Sequence, residues 1–313
     1  MSPFPFIQNE ERIMYDIIVV GAGPAGLTAA LYARRAEKSV LVLEKSTFGG
    51  QMTFSPKIEN YPGFLQLSGN ELADKMVDST LAQGAEIDLD AVTEVRREAD
   101  GTFTVVGESG ERQARAVILA LGAKHRQLGL ERENELVGEG VSYCAVCDGA
   151  FYKGLTVAVI GGGNSALQEA VLLSDTCKKV YVIQNLDYFT GEAKLVEKLK
   201  TKDNVEFIMG TVVTELVGES SLSAIKLRTG DKESELALDG IFVAIGLEPC
   251  NTPFEDLVSL NKYGYFDVDE ACVSATEGVF VAGDCRSKSV RQIATAIADG
   301  ASAAIAACRY LDK

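Results

Sequence analysis

The sequence predicts an α/β protein that contains two copies of one strand–glycine turn–helix–strand unit. The first copy combines the apolar segment 15–20, the glycine-rich turn 21–26, an Ala/Leu-rich helix and a second apolar segment at 40–43. The second copy begins about 140 residues later, with the glycine-rich turn 161–166. Apolar runs without polar interruption are typical of parallel strands buried on both faces. Two such units predict two Rossmann-like domains.

The composition predicts a globular protein that stays in the cytoplasm. Its 313 residues suffice for two domains, and 47% apolar with 24% charged residues allow ample cores. No apolar run approaches the ~20 residues of a membrane span, and residues 1–6 lack the features of a signal peptide. The formal net charge of −15 disfavours binding to nucleic acid or to an anionic membrane. Seven cysteines with one close pair suit a reducing compartment.

The first glycine-rich turn has the full context of a dinucleotide-binding fingerprint. Gly21 permits the tight turn, Gly23 lets a pyrophosphate approach the backbone, and Gly26 packs the helix against the strand. The N-terminus of that helix offers amide donors and a positive dipole to phosphates. Glu44 follows the second strand, where an acid binds ribose hydroxyls. This order predicts a nucleotide site; the alternative is a turn used only for packing.

The rest of the chain alternates loops with further helices and strands. Residues 1–14 contain two prolines and no periodicity, which predicts an arm. Glycine pairs and a Pro-Gly turn mark ligand-binding or connecting loops at 48–51 and 57–63. The remaining predicted elements are a helix at 69–83, strands at 116–121, 240–246 and 278–284, and an alanine-rich helix from Arg291 to about Tyr310.

Cys144 and Cys147 are separated by two residues and are followed at once by Asp148. A Cys-x-x-Cys pair is a redox dithiol, half of a metal site, or two unrelated thiols. Zinc would need a second ligand pair, but the other cysteines are isolated and His125 is the only histidine. We therefore predict a redox dithiol and no metal site.

Together these residues resemble the low-molecular-weight, bacterial-type thioredoxin reductases, and the similarity covers nearly the whole chain. The markers are Gly21 to Gly26, Gly50-Gln51, Glu59 to Gly63, Cys144 to Gly149, Gly161 to Ala166, Ala282-Gly283-Asp284 and Arg291-Gln292. The resemblance implies an FAD-dependent oxidoreductase that reduces thioredoxin and is a homodimer.

The resemblance also implies two Rossmann-like nucleotide-binding domains, the second inserted in the first (the class II arrangement of thioredoxin reductase). We place a discontinuous FAD-binding domain at residues 1–123 and 248–313. An inserted NAD(P)H-type domain at 124–247 carries the dithiol. Buried strands give way to polar loops near both junctions.

The resemblance further assigns residues to FAD. The first glycine-rich turn and Glu44 hold the adenosine half, and Gln51 and Asn60 lie along the flavin. Asp284 bonds the ribityl chain, and the helix beginning at Arg291 points its positive end at the flavin pyrimidine. The full predicted set is Gly21, Gly23, Pro24, Ala25, Gly26, Glu44, Lys45, Gly50, Gln51, Asn60, Ala120, Gly122, Gly283, Asp284, Arg291, Gln292 and Ile293.

The same resemblance assigns the catalytic roles. Cys147 faces the flavin and exchanges electrons with it, and Cys144 attacks the substrate disulfide. Asp148 gives and takes the proton, a role that a carboxyl group with a raised pKa would suit. The alternative for Asp148 is a turn residue before Gly149.

The second unit departs from the family where a nicotinamide nucleotide would be recognised. The acid of the first unit stands 23 residues after the first glycine, and the same offset from Gly161 reaches Gln184. NADPH-dependent members place a His-Arg-Arg run there, with another Arg shortly after. This chain has Asn185, Leu186 and Thr190 at the arginine positions, and Asp187 is three residues late for an NADH site.

We therefore predict the ferredoxin-dependent flavin thioredoxin reductase variant, with reduced ferredoxin as donor. An NADPH- or NADH-dependent reductase and a related flavin disulfide oxidase are the alternatives. Because ferredoxins are acidic, docking needs a basic patch. We favour Arg286, Lys288 and Arg291 over the lysines of the segment 194–202.

Overall fold

The computed structural model describes residues 14–55 and 57–313, so the predicted arm lies, apart from Met14, outside the described residues. Seventeen strands and six α-helices lie within these ranges. The strands are β1 (Met14–Val20), β2 (Val40–Glu44), β3 (Glu86–Leu89), β4 (Val92–Arg97), β5 (Phe103–Gly107), β6 (Gly110–Leu119), β7 (Ala123–His125), β8 (Val141–Ser142), β9 (Thr156–Ile160), β10 (Lys179–Ile183), β11 (Val205–Ile208), β12 (Thr211–Val217), β13 (Ala224–Thr229), β14 (Lys232–Ala237), β15 (Gly240–Val243), β16 (Leu247–Pro249) and β17 (Val279–Val281). The helices are α1 (Pro24–Arg35), α2 (Gly69–Ala82), α3 (Ala145–Asp148), α4 (Asn164–Ser174), α5 (Ala193–Lys200) and α6 (Ile293–Leu311).

Two compact units make up the described chain, and each has its own sheet and core. The first comprises residues 14–53, 68–123 and 249–313, and the second comprises the described parts of 54–67 and 124–248. β7 pairs with β16 where the chain passes between the units. Within the part of the chain that the structure describes, no helix is long and apolar enough to cross a membrane.

The first unit is built on a seven-stranded sheet in the order β3-β2-β1-β6-β5-β4, with β17 paired to β6. β1 pairs in parallel with β2 and β6, whereas β4, β5 and β6 form an antiparallel meander. Helices α1 and α6 cover one face, and residues 254–268 cover the other. Because both faces are covered, β1 is apolar along its centre, where Ile17, Ile18 and Val19 are fully buried.

Close backbone contacts explain two glycines of the first turn. Gly21 has φ +106°, and a Cβ there would collide with the carbonyl oxygen of Ala120. A Cβ at Gly26 on α1 would collide with the carbonyl oxygen of Gly21. Glycine at both positions therefore lets α1 start directly after β1 and pack closely on the sheet.

The second unit repeats this construction. Its parallel five-stranded sheet has the order β11-β10-β9-β15-β8, with α4 and α5 on one face and the antiparallel sheet β12-β13-β14 on the other. Gly161 has φ +135° and lies against the carbonyl of Ala244, as Gly21 lies against that of Ala120. The predicted repeat and the predicted α/β fold class are confirmed.

Four predicted boundaries are wrong. The strands predicted at 240–246 and 278–284 are shorter, at Gly240–Val243 and Val279–Val281. Local geometry explains the other two. The strand predicted at 116–121 spans Gly110–Leu119, because its first half pairs with β5 as an antiparallel hairpin. The last helix begins at Ile293 rather than at Arg291. Gln292 is extended, with φ −144° and ψ 157°, and its side chain caps the first turn of α6.

Candidate active site

The dithiol opens a short helix in the second unit. Cys144 and Cys147 form a disulfide, with Cys144 at the N-cap of α3 and Cys147 within the helix. The backbone amide of Cys147 donates a hydrogen bond to the Cys144 sulfur over 3.2 Å. Both cysteines are partly exposed, and Val146 between them is exposed. Because an amide donor stabilises negative charge on sulfur, reduction of the disulfide favours a Cys144 thiolate.

Asp148 is tied to the same loop through Ser142. The Ser142 hydroxyl donates to Asp148 Oδ2 over 2.6 Å and accepts the Cys144 amide over 3.1 Å. Asp148 Oδ1 is buried and has no hydrogen-bond partner among the described residues. Burial raises the pKa of Asp148, and the Ser142 hydrogen bond opposes that shift. The carboxyl group is therefore suited to accept and return a proton beside the cysteine pair.

The structure adds Glu169, which the sequence reasoning missed. It lies on α4 between the buried residues Ala166 and Ala170. The Ala145 amide donates a hydrogen bond to its carboxylate, whereas Oε2 is buried without a partner in the described chain. Burial is the main cause that raises the pKa of Glu169 to about 7, and the charge of Asp148 adds to it. An acid at inward-facing helical spacing was the signal that could have identified it.

Tyr143, the residue before the dithiol, is held by contacts of its own. The Tyr143 hydroxyl donates to Glu133 over 2.8 Å, and the buried Glu133 carboxylate accepts the amides of Leu128 and Gly129. The His125 ring packs on that of Tyr143, with 5.3 Å between centroids, and burial lowers the pKa of His125. Among residues 14–55 and 57–313, no group of three Cys, His, Asp or Glu side chains is placed to hold a metal ion.

The first glycine-rich turn forms a backbone cradle at the start of α1. Cβ atoms added at Gly23 and Gly122 would meet no described atom within 4 Å, so open space faces both residues. The buried Glu44 carboxylate accepts the Ala22 amide over 2.8 Å. Gly50 lies against the same turn, since a Cβ there would be 3.4 Å from the Gly23 Cα. This cradle, with the N-terminal amides of α1, suits the pyrophosphate of a dinucleotide such as FAD.

Asp284 supplies a buried acceptor next to the cradle. A Cβ at Gly283 would lie 2.8 Å from the Ala25 side chain on α1, which places Asp284 beside that helix. Asp284 Oδ1 is buried and has no hydrogen-bond partner among the residues that the structure describes. Burial raises the pKa of Asp284 to about 6, although Lys288 and Arg291 lower it. Because a buried carboxylate oxygen requires a donor, a ribityl hydroxyl fits here, and this unit fits FAD.

Arg286 and Lys288, which we predicted to form a docking patch, are buried. Arg286 is 1% exposed, and its Nε and Nη2 each donate to Asp299 over 2.8 Å. Lys288 Nζ donates to the same carboxylate over 2.8 Å, and the Gly283 amide does so over 3.0 Å. The patch prediction is therefore wrong, because Asp299 on α6 takes up both cations. This ion cluster instead holds the loop that carries Asp284.

Two uncharged side chains from 184–190, Gln184 and Thr190, contact the second glycine-rich turn, and the Glu192 carboxylate accepts a hydrogen bond from Asn164 of that turn over 3.3 Å. Gln184 is 5% exposed, donates to the Tyr188 carbonyl over 3.3 Å and accepts the Asn185 amide over 3.2 Å. The Thr190 hydroxyl donates to the Gly162 carbonyl over 3.3 Å. Gln184 thus uses its polar groups on the backbone of its own loop, and Thr190 uses its hydroxyl on the backbone of the glycine-rich turn.

The remaining predicted cofactor residues lie at element ends or in loops. They are Pro24 and Ala25 at the start of α1, Lys45 after β2, Gln51 in the 3-10 turn Gly50–Phe54, Ala120 after β6, and Gln292 and Ile293 at the start of α6. Arg291 lies just before α6 and stacks over Tyr265, 4.1 Å from the ring centroid. Asn60 lies in the segment 54–67, which belongs to the second unit.

The chain is similar along nearly its whole length to known disulfide oxidoreductases. Residues 15–300 match the family described as Pyridine nucleotide-disulphide oxidoreductase. A thioredoxin reductase of Mycoplasma genitalium is 42% identical over 300 residues, which cover 95% of each chain. A thioredoxin reductase of Bacillus subtilis is 40% identical over 311 residues, which cover 97% of each chain.

A solved structure extends the likeness to three dimensions. The thioredoxin reductase of Streptococcus pyogenes matches with a TM-score of 0.91 and 37% identity, over 96% of this chain and 99% of that chain. FAD is the cofactor of the family, and the cradle at Gly23 with the acceptor Asp284 fits it. The chain belongs to the flavin-dependent, low-molecular-weight thioredoxin reductases of the pyridine nucleotide-disulphide oxidoreductase family.

Proposed function

We propose that this enzyme reduces the disulfide of thioredoxin through FAD and the dithiol Cys144–Cys147. The observation that carries the proposal is the 3.2 Å hydrogen bond from the Cys147 amide to the Cys144 sulfur. It prepares one sulfur for nucleophilic attack, and Asp148 stands in the same loop as a proton carrier. The relatives named thioredoxin reductase support the choice of substrate. The family resemblance supports a cytoplasmic homodimer.

The chemistry of the dithiol follows from these positions. Bound FAD supplies the electron pair that opens the disulfide. Cys144 gives its proton to Asp148, attacks one thioredoxin sulfur and forms a mixed disulfide. Asp148 passes the proton to the departing thioredoxin sulfur. Cys147 then gives its own proton to Asp148, attacks Cys144 and restores the enzyme disulfide. The second thioredoxin sulfur leaves and takes that proton from Asp148, so that two electrons and two protons reach the substrate.

We also propose the domain roles. The first unit contains the cradle at Gly23 and the acceptor Asp284, which supports an FAD-binding domain at 1–123 and 248–313. The second unit contains the dithiol, which supports an inserted redox domain at 124–247. The units divide at residues 123/124 and 248/249, but the segment 54–67 groups with the second unit.

We propose reduced ferredoxin as the electron donor. Asn185, Leu186 and Thr190 stand at the positions that carry arginines in NADPH-dependent members, and none of the three is cationic. Each charge-assisted hydrogen bond that a phosphate loses forfeits roughly 1.5–3 kcal/mol, so the loss of two or three weakens NADPH binding by orders of magnitude. Flavin accepts electrons singly or as a pair, so a one-electron donor is compatible with the cofactor.

A reductase that uses NADPH or NADH is the second candidate. The observation that favours it is the intact geometry of the second glycine-rich turn, where Gly161 has φ +135° and α4 begins at Asn164. That geometry still presents a helix N-terminus to a pyrophosphate. The donor therefore depends on the side chains at 184–190 and not on the turn.

A lysine face on α5 is the docking surface that we propose for ferredoxin. Lys194, Lys198 and Lys200 are exposed on this helix, while Leu199 packs into the core of the second unit. Lys200 forms an ion pair with Glu197 on the same helix, so Lys194 and Lys198 carry most of the face. Opposite charge on an acidic partner would guide its encounter with this face.

A trapping experiment tests thioredoxin reduction and the sulfur roles together. The Cys147→Ser variant should accumulate a mixed disulfide between Cys144 and thioredoxin, because the second attack is blocked. Cys144→Ser is the matched control and should trap little thioredoxin. Mapping of the linked peptide to Cys147 would reverse the roles, and no adduct in either variant would remove thioredoxin as the substrate.

A further inference from the structure

Glu169 lies against the dithiol helix from a neighbouring helix. α4 packs on α3, and a Cβ added at Gly149 would be 3.1 Å from the Leu173 side chain of α4. On the same helix, the Glu169 carboxylate accepts the backbone amide of Ala145, the residue that follows the attacking Cys144. Glu169 therefore contacts the start of the redox helix directly.

Two carboxyl oxygens in this region are buried without a donor. Asp148 Oδ1 and Glu169 Oε2 have no hydrogen-bond partner within the described ranges of the chain. Asp148 also acts on Glu169, because the charge of Asp148 raises the pKa of Glu169. Two ionised carboxylates so placed repel each other, and one proton held by the pair removes that repulsion.

The neighbouring groups do not cancel the repulsion between the carboxylates of Asp148 and Glu169. Tyr152, in the turn after α3, stays protonated near neutral pH, since burial raises its pKa to about 12. Ser142 is neutral and bonds to the Oδ2 atom of Asp148. Glu139 is a third acid, and it acts on Tyr152. Burial and the Ser142 hydrogen bond set the pKa of Asp148, with no cation contributing from the described residues.

We propose that Glu169 is a positioning residue that shares one proton with Asp148 during thiol–disulfide exchange. The inference rests on the proposed function of the dithiol. When Cys144 loses its proton to Asp148, the pair holds that proton while the sulfur–sulfur bond between Cys144 and thioredoxin forms and the disulfide bond within thioredoxin breaks. The departing sulfur takes the proton back, so electrons and protons balance as before. Glu169 also fixes the Ala145 amide, which keeps the redox helix in place.

The test uses chemically reduced holoenzyme and the pH dependence of alkylation at Cys144 by iodoacetamide. Glu169→Gln keeps an acceptor for the Ala145 amide but removes the ionisable group. Loss of the like charge should move the pH midpoint of Cys144 reactivity downward by about one unit. Glu169→Asp should keep a midpoint close to that of the wild type. Glu197→Gln, the same change at an exposed position of α5, should change nothing.

The alkylation assay needs neither thioredoxin nor an electron donor, so it is independent of the proposed substrate. An unchanged midpoint in Glu169→Gln would overturn the proposal. A uniform loss of reactivity at every pH would also overturn it, because that result indicates a structural role alone. If Glu169→Gln fails to fold, the Glu169→Asp profile decides: a shift as large as one unit there contradicts the shared proton.

Discussion

The Ser142 hydroxyl donates a 2.6 Å hydrogen bond to Asp148, and it accepts the amide of Cys144 at the same time. One small side chain thus links Asp148, the proposed proton carrier, to Cys144, the proposed attacking cysteine. The hydrogen bond favours the ionised form of Asp148, whereas burial favours the protonated form. The balance sets the pH range in which Asp148 can transfer a proton.

Removal of the acid tests its role directly. Asp148→Asn should lower the rate of thioredoxin reduction by about 10²–10³-fold, since general acid–base catalysis contributes on that scale. FAD content and the melting temperature should stay near those of the wild type. Single-turnover reduction of thioredoxin by prereduced enzyme is the measurement, and a loss below about threefold would contradict the role.

Removal of the Ser142 hydroxyl should shift the pH profile instead. Ser142→Ala deletes the one hydrogen bond that lowers the pKa of Asp148, so that pKa rises further. The pH midpoint of the single-turnover rate should therefore move to higher pH. A shift to lower pH would show that another interaction controls Asp148.

Asp284→Asn should stabilise the apoprotein but weaken FAD binding. The pKa of Asp284 is raised to about 6 in the folded state, so its favourable contribution exists at low pH and is lost as pH rises through that value. The introduced asparagine cannot ionise, so the variant avoids this loss of stability. Its free energy of unfolding should be about 1–2 kcal/mol higher than that of the wild type near pH 8 and nearly equal to it near pH 4. Urea unfolding of both apoproteins is the measurement.

The FAD dissociation constant of the same variant gives the second readout. Loss of a charge-assisted hydrogen bond should raise it by roughly 10–100-fold. A variant that is less stable than the wild-type apoprotein near pH 8, or that binds FAD equally well, would contradict the assignment of Asp284.

The ion cluster on α6 should be essential for stability. Burial opposes the ionisation of Asp299, but Arg286 and Lys288 outweigh it and lower the pKa of Asp299. Asp299→Asn leaves both cations without their carboxylate partner and should cost about 3–5 kcal/mol near neutral pH. Glu270→Gln is the control: Glu270 also binds Arg286, but it is 84% exposed. Its loss should cost less than about 1 kcal/mol.

Charge reversal on α5 tests the docking face. Lys194→Glu with Lys198→Glu should slow flavin reduction by ferredoxin about tenfold at low salt and flatten its dependence on ionic strength. Arg228→Glu with Lys232→Glu, at exposed positions of β13 and β14, is the control with the same change in net charge. Equal effects of the double variant and the control would show that net charge alone matters.

The repeated strand–turn–helix–strand unit could be predicted from the sequence, because the steric requirement for glycine in its turn is local. Gly21 and Gly161 each precede a helix and need positive φ, so the turn, the helix and the parallel strands follow from a few residues. The dithiol and Asp148 were equally visible, since they are adjacent in the chain.

Long-range pairing could not be predicted in the same way. Arg286 and Lys288 look like a basic patch until Asp299, more than ten residues later in the chain, is seen to bind both. Glu169 looked like an ordinary helix acid, because its contact with Ala145 depends on how α4 packs against α3. In both cases a charged side chain is buried, and neither composition nor motif spacing shows which charged side chains are buried.

The identity of the electron donor is the central claim, and anaerobic stopped-flow flavin absorbance tests it most directly. The oxidised holoenzyme is mixed with reduced ferredoxin, with NADPH or with NADH. The account predicts rapid bleaching of the flavin by ferredoxin and no comparable reaction with micromolar NADPH or NADH. Rapid bleaching by micromolar NADPH, with none by reduced ferredoxin, would contradict it and assign the enzyme to the NADPH-dependent reductases.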